Sequence, residues 1–174
     1  MSVMQGDIYG FIGENGAGKT TMIRLLTGLA EPTTGKIALF GESNKKLAKQ
    51  RERIGCIIES PSLYLDMTAY ENLEVQRLQR GIPGKGCIDN ALALVGLKDT
   101  GKKKAKDFSL GMRQRLALAI ALLGNPEFLV LDEPINGLDP TGIIELRNLL
   151  KRLNKERGIT ILISSHILTE LHQL

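Results

Sequence analysis

Residues Gly13–Thr20 read GENGAGKT and directly follow the apolar stretch Ile8–Ile12. This segment fits the phosphate-binding pattern GxxxxGK[ST] at its expected place between a strand and a helix. Gly16 and Gly18 free the backbone to turn its N–H groups toward a phosphate, and a helix that opens at Lys19 adds a partial positive charge. The segment therefore predicts that the chain binds a nucleoside triphosphate.

The chemistry expected of this loop depends on its last residues. Lys19 would reach the β- and γ-phosphates, and the Thr20 hydroxyl would bind Mg²⁺. The competing interpretation is a glycine-rich turn that caps a helix without any ligand, but this pattern is rare by chance in a chain of 174 residues. The residues expected to contact the nucleotide are Gly13, Glu14, Asn15, Gly16, Ala17, Gly18, Lys19 and Thr20.

Composition excludes some classes of function. The net charge is only +4, and the basic run Lys102–Lys104 is better interpreted as a solvated flank than as a nucleic-acid grip. Cys56 and Cys87 lie far apart without a CxxC pair, so neither a disulfide framework nor a zinc site is indicated. No apolar stretch approaches the length of a membrane span, and the first residues do not resemble a signal peptide. If the protein works on a membrane, another chain is expected to cross it.

Apolar runs of strand length alternate with segments of helical period, which predicts an α/β fold with a mostly parallel sheet. Strands are expected at Ile8–Ile12, Ile37–Phe40, Ile54–Ile58, Phe128–Leu131 and Ile159–Ser164. Helices are expected at Lys19–Leu29, Thr68–Gly81 with a capping box, Ile88–Val95, Gly111–Leu123 and Pro140–Arg157, the last with Ile144, Leu149 and Leu153 as buried candidates. The expected domains are a core of residues 1–67 and 124–174 and a helical part of residues 68–123.

Two adjacent acids, Asp132 and Glu133, follow the apolar run Phe128–Leu131. Ligands of parallel sheets bind at the carboxyl ends of the strands, and two carboxylates there are costly unless a cation shares the site. Asp132 would hold Mg²⁺, while Glu133, directed the other way by the strand pleat, would take a proton from an attacking water. The alternative is an ordinary acidic turn before Pro134, which the neighbouring phosphate loop disfavours.

Further segments follow in a fixed order: SLGMRQR at Ser109–Arg115, LVLDEP at Leu129–Pro134, NGLDP at Asn136–Pro140, and His166 after the run ILISS. With the loop, they resemble the nucleotide-binding domains of ABC transporters across nearly the whole chain. The resemblance implies a P-loop NTPase fold, with a RecA-like core and an ABC-type helical subdomain. It also implies an ATPase that drives transport across a membrane.

The same resemblance implies a head-to-tail dimer with ATP sandwiched at the interface. Ser109 and Gly111 of one subunit would contact the γ-phosphate held by the other, and Asp139 would link the two sites. Thr21 would touch the α-phosphate, and His166 would sense the γ-phosphate. The implied partners are a second ATP-binding subunit and transmembrane permease subunits, with no nucleic acid, at the cytoplasmic face of a bacterial membrane.

Two departures from the family pattern narrow the interpretation. The family usually has glutamine where this chain has Glu59, which would complete the Mg²⁺ environment. The signature carries Leu110 and Met112 in place of glycine and glutamine. In both departures and in the segment SPSLYLDMTAYENL, the sequence resembles the ATPase subunits of bacterial exporters for bacitracin and lantibiotics. Export of, or protection against, a peptide antibiotic is therefore implied.

Family members normally begin with a strand pair and an aromatic residue that stacks on adenine, and they continue past His166. We therefore expect this chain to be truncated at both ends. Two other functions stay open. One is an ABC-type ATPase that acts on DNA or ribosomes, although no long coiled coil separates Lys19 from Ser109. The other is a module that binds nucleotide without turnover.

Overall fold

The computed structural model of the chain describes residues 1–59 and 62–167. Its strands are β1 (Ile8–Ile12), β2 (Ala38–Leu39), β3 (Glu42–Ser43), β4 (Ile54–Ile57), β5 (Phe128–Asp132) and β6 (Thr160–Ser165). Its helices are α1 (Lys19–Thr27), α2 (Leu47–Arg51), α3 (Ala69–Gln79), α4 (Gly86–Leu94), α5 (Leu110–Leu122) and α6 (Pro140–Arg157).

A parallel sheet of four strands, in the order β1, β6, β5, β4, organises the fold. Every residue of β5 and of β6 is buried, whereas the edge strands β1 and β4 each include half-buried and exposed residues. Central parallel strands are covered on both faces, which is why their sequences read as continuous apolar runs. The predicted α/β fold with a mostly parallel sheet is confirmed.

The segment between α1 and β4 differs from its prediction. Instead of one strand at Ile37–Phe40, β2 and β3 form a short antiparallel hairpin. Its turn contains Phe40 at φ 51° and Gly41 at φ 79°. Helix α2 was not predicted either, because its five residues are too few to show a helical period.

Helix starts agree more closely with the sequence. The capping box of α3 forms, since the Thr68 side chain accepts from the Glu71 N–H and the Glu71 side chain accepts from the Thr68 N–H.

The buried face of α6 agrees with the sequence only in part. Leu149 and Leu153 are buried as expected, but Ile144 is 53% exposed. The prediction for Ile144 was wrong because the buried face follows Leu146 and its helical neighbours, and a residue two positions away points to the other side.

Contacts divide the chain into two compact units. The first unit contains Met1–Glu59, Pro126–Pro134 and Lys151–Leu174, and the second contains Ser60–Asn125 and Ile135–Leu150. The segment before α3 joins the second unit because Ala105 N donates to Met67 O at 2.9 Å and Lys106 N donates to Leu65 O at 2.9 Å. The boundaries of these units differ from those of the predicted domains, which lie at residues 68 and 123. The predicted domain division stays a prediction.

The core of the first unit fixes α1 against the sheet. Ile23 of α1 packs with Phe128 and Val130 of β5 and with Leu162 of β6. The loop that precedes α1 is thereby held beside the carboxyl ends of the central strands. Among the residues that the structure describes, no helix is both long enough and apolar enough to span a bilayer.

Candidate functional site

The loop Gly13–Thr20 has the backbone expected of a phosphate cradle. Gly16 and Gly18 lie at φ 84° and 87°, in the left-handed region that only glycine adopts readily. Gly18 is also the N-cap of α1, and no side chain caps that helix start. The first-turn N–H groups of α1 therefore lack the side-chain acceptor that most helices supply.

Lys19 is nearly buried, with 6% of its surface exposed. Its Nζ donates to the carbonyl oxygens of Gly13 at 2.7 Å and Glu14 at 3.1 Å. It also lies 3.3 Å from Oε1 of Glu133. The ammonium group thus lies over the loop, where it would contact a phosphate. Its positive charge is balanced there by the carboxylate of Glu133, the residue after β5.

Thr20 and Asp132 meet beside this lysine. The Thr20 hydroxyl donates to Oδ2 of Asp132 at 2.7 Å, and Asp132 is only 2% exposed. A hydroxyl and a carboxylate are the hard oxygen donors that Mg²⁺ prefers, and Mg²⁺ usually adds phosphate oxygens and waters to one or two such groups. The described residues contain no cluster of three His, Cys, Asp or Glu side chains suited to a metal. The Thr20 hydroxyl and the Asp132 carboxylate fit a Mg²⁺ ion that would take its other ligands from phosphate oxygens and water.

Glu133 leaves the strand in a different way from the one predicted. It lies beyond the last residue of β5 with φ 49°, so a left-handed turn, and not the strand pleat, directs its side chain away from Asp132. Its Oε1 is buried without a hydrogen-bond donor and faces Lys19, while its Oε2 lies 2.8 Å from Nδ1 of His166. A buried carboxylate oxygen with spare accepting capacity is what a proton acceptor requires.

His166 follows β6 immediately and is brought to the same end of the sheet. Because a carboxylate can only accept, the 2.8 Å contact with Glu133 places a proton on Nδ1 of His166. In a neutral ring, Nε2 is then an acceptor, and it donates only when the ring is charged. The contact makes His166 a support for Glu133 as well as a candidate phosphate sensor.

Glu59 is not brought to this cluster in the structure. Its carboxylate accepts a hydrogen bond from Nη2 of Arg24, on α1, and its backbone lies at φ 60°. Both side chains are largely exposed, so the ion pair adds little stability. The predicted metal role of Glu59 stays a prediction, and it would require the side chain to leave Arg24.

The remaining predicted site residues lie in the second unit. Ser109 is the N-cap of α5, and its Oγ accepts from Met112 N at 3.2 Å. Leu110 is 48% exposed and is followed by Gly111 in the first turn. Oδ1 of Asp139 accepts from Gly142 N at 3.2 Å at the start of α6. The roles of Ser109, Gly111 and Asp139 concern a second subunit and stay predictions.

One further residue, Ser164 of β6, belongs to the cluster and was not predicted from the sequence. Ser164 is fully buried, donates to Oδ1 of Asp132 at 2.6 Å and accepts from Glu133 N at 2.9 Å. No local pattern marks this serine, because its importance arises from its register with Asp132 on the adjacent strand.

A cavity of about 650 Å³ lies elsewhere in the first unit, where β5 and β6 begin. Arg53 and Glu127 line it and form a paired contact of 2.7 and 2.6 Å, so the guanidinium holds the pKa of Glu127 below its usual range. None of the predicted site residues lines this cavity. The candidate functional site is therefore the loop end of the sheet, where ligands of parallel sheets usually bind.

Comparisons with known proteins agree on one family. The family profile described as "ABC transporter" matches residues 1–136. The chain is 56% identical over 175 residues to the bacitracin transport ATP-binding protein BcrA of Bacillus licheniformis, which covers 100% of this chain and 57% of that protein. It is 45% identical over 174 residues to the lantibiotic transport ATP-binding protein SrtF of Streptococcus pyogenes, which covers 100% of this chain and 74% of that protein.

Solved structures give the same result. A dimeric, post-hydrolysis state of the ATP-binding cassette MJ0796, bound to ADP and Pi, superposes with a TM-score of 0.85 at 26% identity, over 99% of this chain and 80% of that one. CbiO1 of Clostridium perfringens, part of the transporter complex cbiONQ, superposes with a TM-score of 0.86 at 32% identity, over 96% of this chain and 70% of that one. The chain spans 57% of the length of the BcrA relatives.

Proposed function

The chain belongs to the ABC transporter family, and from this membership we propose that its protein binds ATP with Mg²⁺ and hydrolyses it to drive transport. The observation that carries the proposal is the cluster at the loop end of the sheet. There the Thr20 hydroxyl meets Asp132 at 2.7 Å, and Lys19 lies 3.3 Å from Glu133. Phosphate binding, metal binding and proton acceptance each have a side chain within this one cluster.

The residues of the loop bind and orient the triphosphate in this proposal. The left-handed glycines turn backbone N–H groups inward, Lys19 shifts from Glu133 to the β- and γ-phosphates, and Thr21 contacts the α-phosphate. Thr20 and Asp132 would hold Mg²⁺, and Glu59 would be a further ligand only with its side chain turned away from Arg24. When bound, Mg²⁺ neutralises negative charge on the phosphate oxygens.

Glu133 is the proposed general base. Water attacks the γ-phosphorus in line, its proton goes to Glu133, and the bond to ADP breaks to leave ADP and inorganic phosphate. His166 keeps the Glu133 carboxylate in place through the 2.8 Å contact at Nδ1. Its Nε2 would donate to the γ-phosphate only with the ring charged, because phosphate oxygens can only accept. Most of the rate acceleration would come from positioning and charge stabilisation.

A second copy of the protein is proposed to complete the site. The dimeric MJ0796 cassettes support this arrangement. In it, Ser109 and Gly111 present the start of α5 to the γ-phosphate of the partner, and Asp139 connects the two sites. The other proposed partners are permease subunits, which would hold the protein at the cytoplasmic face of the membrane. Residues around Thr68–Arg80 and the loop after Glu59 would contact them.

The transported compound is proposed from the relatives. BcrA is named for bacitracin transport and SrtF for lantibiotic transport, and both match this whole chain. We accordingly assign the protein to the export of a peptide antibiotic, or to protection against one. Deleting its gene should lower the concentration of bacitracin or of a lantibiotic that the host tolerates, and unchanged tolerance to both would contradict the assignment.

The chemistry is tested with Glu133→Gln in the complete protein. Glutamine keeps the size of the side chain but cannot accept a proton as a base, so turnover should stop while ATP-bound dimers accumulate. The measurements are phosphate release and size-exclusion chromatography with ATP and Mg²⁺. Glu31→Gln, at an exposed position, is the matched control. Undiminished hydrolysis by the Glu133→Gln variant would remove Glu133 from the base role.

A further inference from the structure

Ser164 connects the two acids of the site through a single hydroxyl group. Its Oγ donates to Oδ1 of Asp132 at 2.6 Å and accepts from the backbone N–H of Glu133 at 2.9 Å. A hydroxyl has one proton and two lone pairs, so both hydrogen bonds form at once. The parallel register places Ser164 opposite Asp132, and the serine is fully buried. Water therefore does not replace either bond when the hydroxyl is removed.

The bond to Asp132 selects which carboxylate oxygen faces the metal position. Oδ1 accepts from Ser164, and this leaves Oδ2 directed at the Thr20 hydroxyl, 2.7 Å away. Without the Ser164 hydroxyl, no hydrogen bond from this residue of β6 would restrict rotation of the Asp132 carboxylate. The Thr20 and Asp132 oxygens that would bind Mg²⁺ together would then be less well aligned.

The bond to Glu133 holds a backbone that is costly for any residue except glycine. Glu133 lies at φ 49°, and its N–H is fixed by Ser164 at the point where the chain turns out of β5. That turn directs the carboxylate to Lys19 and His166. Loss of the acceptor would leave this N–H without its partner and would release the turn.

We propose that Ser164 is a positioning residue for ATP hydrolysis, which sets the orientation of Asp132 toward the metal and of Glu133 toward the attacking water. This inference rests on the proposed function. Ser164 contacts neither nucleotide nor metal in this scheme and acts only through the two acids. Its removal should therefore affect metal-dependent steps and turnover, while nucleotide binding without metal should stay the same.

The test compares Ser164→Ala with Thr160→Val in the complete protein. Thr160 lies on the same strand, is 8% exposed, and its hydroxyl accepts from Gly6 N at 2.9 Å. Each variant removes one hydroxyl that accepts from a backbone N–H, and only Ser164→Ala also removes the hydrogen bond to Asp132. The measurements are kcat and KM for ATP, and the affinity for a non-hydrolysable ATP analogue with and without Mg²⁺.

For Ser164→Ala we expect kcat to fall about tenfold or more and the gain in analogue affinity on adding Mg²⁺ to shrink about tenfold, as for loss of a hydrogen bond to a charged group. Affinity without Mg²⁺ should equal that of Thr160→Val. Ser164→Thr, which keeps the hydroxyl, should recover most of both quantities. If the added methyl group destabilises that variant, Ser164→Cys should show an intermediate loss.

Three outcomes separate the two proposals. Equal kcat and equal Mg²⁺ response in Ser164→Ala and Thr160→Val would overturn the role of Ser164 while ATP hydrolysis by the unaltered protein still stands. Absence of hydrolysis in the unaltered protein, together with a weaker Mg²⁺ response in Ser164→Ala only, would overturn the proposed function and keep only the positioning of Asp132 toward the metal. A weaker metal-free affinity in Ser164→Ala alone would show general distortion of the loop and would overturn the positioning role.

Discussion

Helices α1 and α3 begin in opposite ways. At α3, Thr68 and Glu71 satisfy each other's backbone N–H groups, at 3.2 and 2.7 Å, so the helix start is closed by the chain itself. At α1, the N-cap is Gly18 and no side chain accepts from the first turn. We call a helix start without a side-chain cap open and a capped one closed. An open start beside buried charges is suited to an anionic ligand, whereas a closed start stabilises the helix.

The largest expected effect comes from removing the cation at the open start. Lys19→Ala should abolish ATP binding, with an affinity loss of about a hundredfold or more, because the lysine supplies the charge that meets the β- and γ-phosphates. Titration calorimetry measures the loss, and Lys49→Ala, at an exposed position of α2, is the control. Tight ATP binding by Lys19→Ala would refute the assignment of the loop.

A smaller effect is expected from a substitution that strains the backbone at Gly18, the N-cap of α1. An alanine Cβ at Gly18 would meet no atom within 4 Å, so Gly18→Ala is opposed only by its φ of 87°. We expect it to lower the free energy of unfolding by about 1–2 kcal/mol and to weaken ATP binding about tenfold. Denaturant unfolding and nucleotide titration are the measurements.

Gly86→Ala is the matched control for Gly18→Ala. Gly86 is the first residue of α4, and a Cβ there also meets no atom within 4 Å, but no positive φ opposes it. Alanine should therefore raise the free energy of unfolding by up to about 1 kcal/mol and leave ATP affinity unchanged. Equal behaviour of the two variants would show that the left-handed turn at Gly18 has no functional importance.

Opening the closed start should affect stability alone. Thr68→Ala removes the side chain that accepts from Glu71 N, and the free energy of unfolding should fall by about 1 kcal/mol. ATP affinity should not change, since Thr68 belongs to the second unit and to no predicted nucleotide contact. A loss of ATP affinity in this variant would remove the distinction between the two helix starts.

The smallest expected effect is on the free energy of unfolding at acidic pH. The hydrogen bond from the Thr68 backbone N–H lowers the pKa of Glu71 below 4.5, its ordinary value. A carboxyl group whose pKa is lower in the folded state adds stability above 4.5, and that stability is lost as pH falls through the folded-state pKa. Glu71→Gln should therefore lose less stability than the unaltered protein between about pH 6 and pH 3. Parallel stability curves for the two proteins would contradict this.

Local patterns allowed much of the site to be predicted. The glycine spacing predicted a backbone free to turn at Gly16 and Gly18, where the structure has left-handed residues. The apolar run before Asp132 and Glu133 predicted both acids at the carboxyl end of a buried strand. These features depend on neighbouring residues in the chain. The capping box of α3 was predictable for the same reason.

The features that were missed depend on pairing across the fold. Ser164 matters only through its register with Asp132, which no local pattern encodes. The contact of Glu59 with Arg24 joins residues of β4's end and α1, and the exposure of Ile144 depends on which face of α6 the fold covers. Family resemblance added the positions of Ser109 and His166, for which local sequence gave no function.

The ion pair between Lys19 and Glu133 would make nucleotide binding an exchange of one anion for another. The carboxylate already balances the ammonium, so an incoming triphosphate must displace it, and the observed affinity is the difference between two ion pairs. Once displaced, Glu133 would be without this countercharge while the γ-phosphate lies beside it. Glu133 and the triphosphate would therefore compete for a single ammonium group.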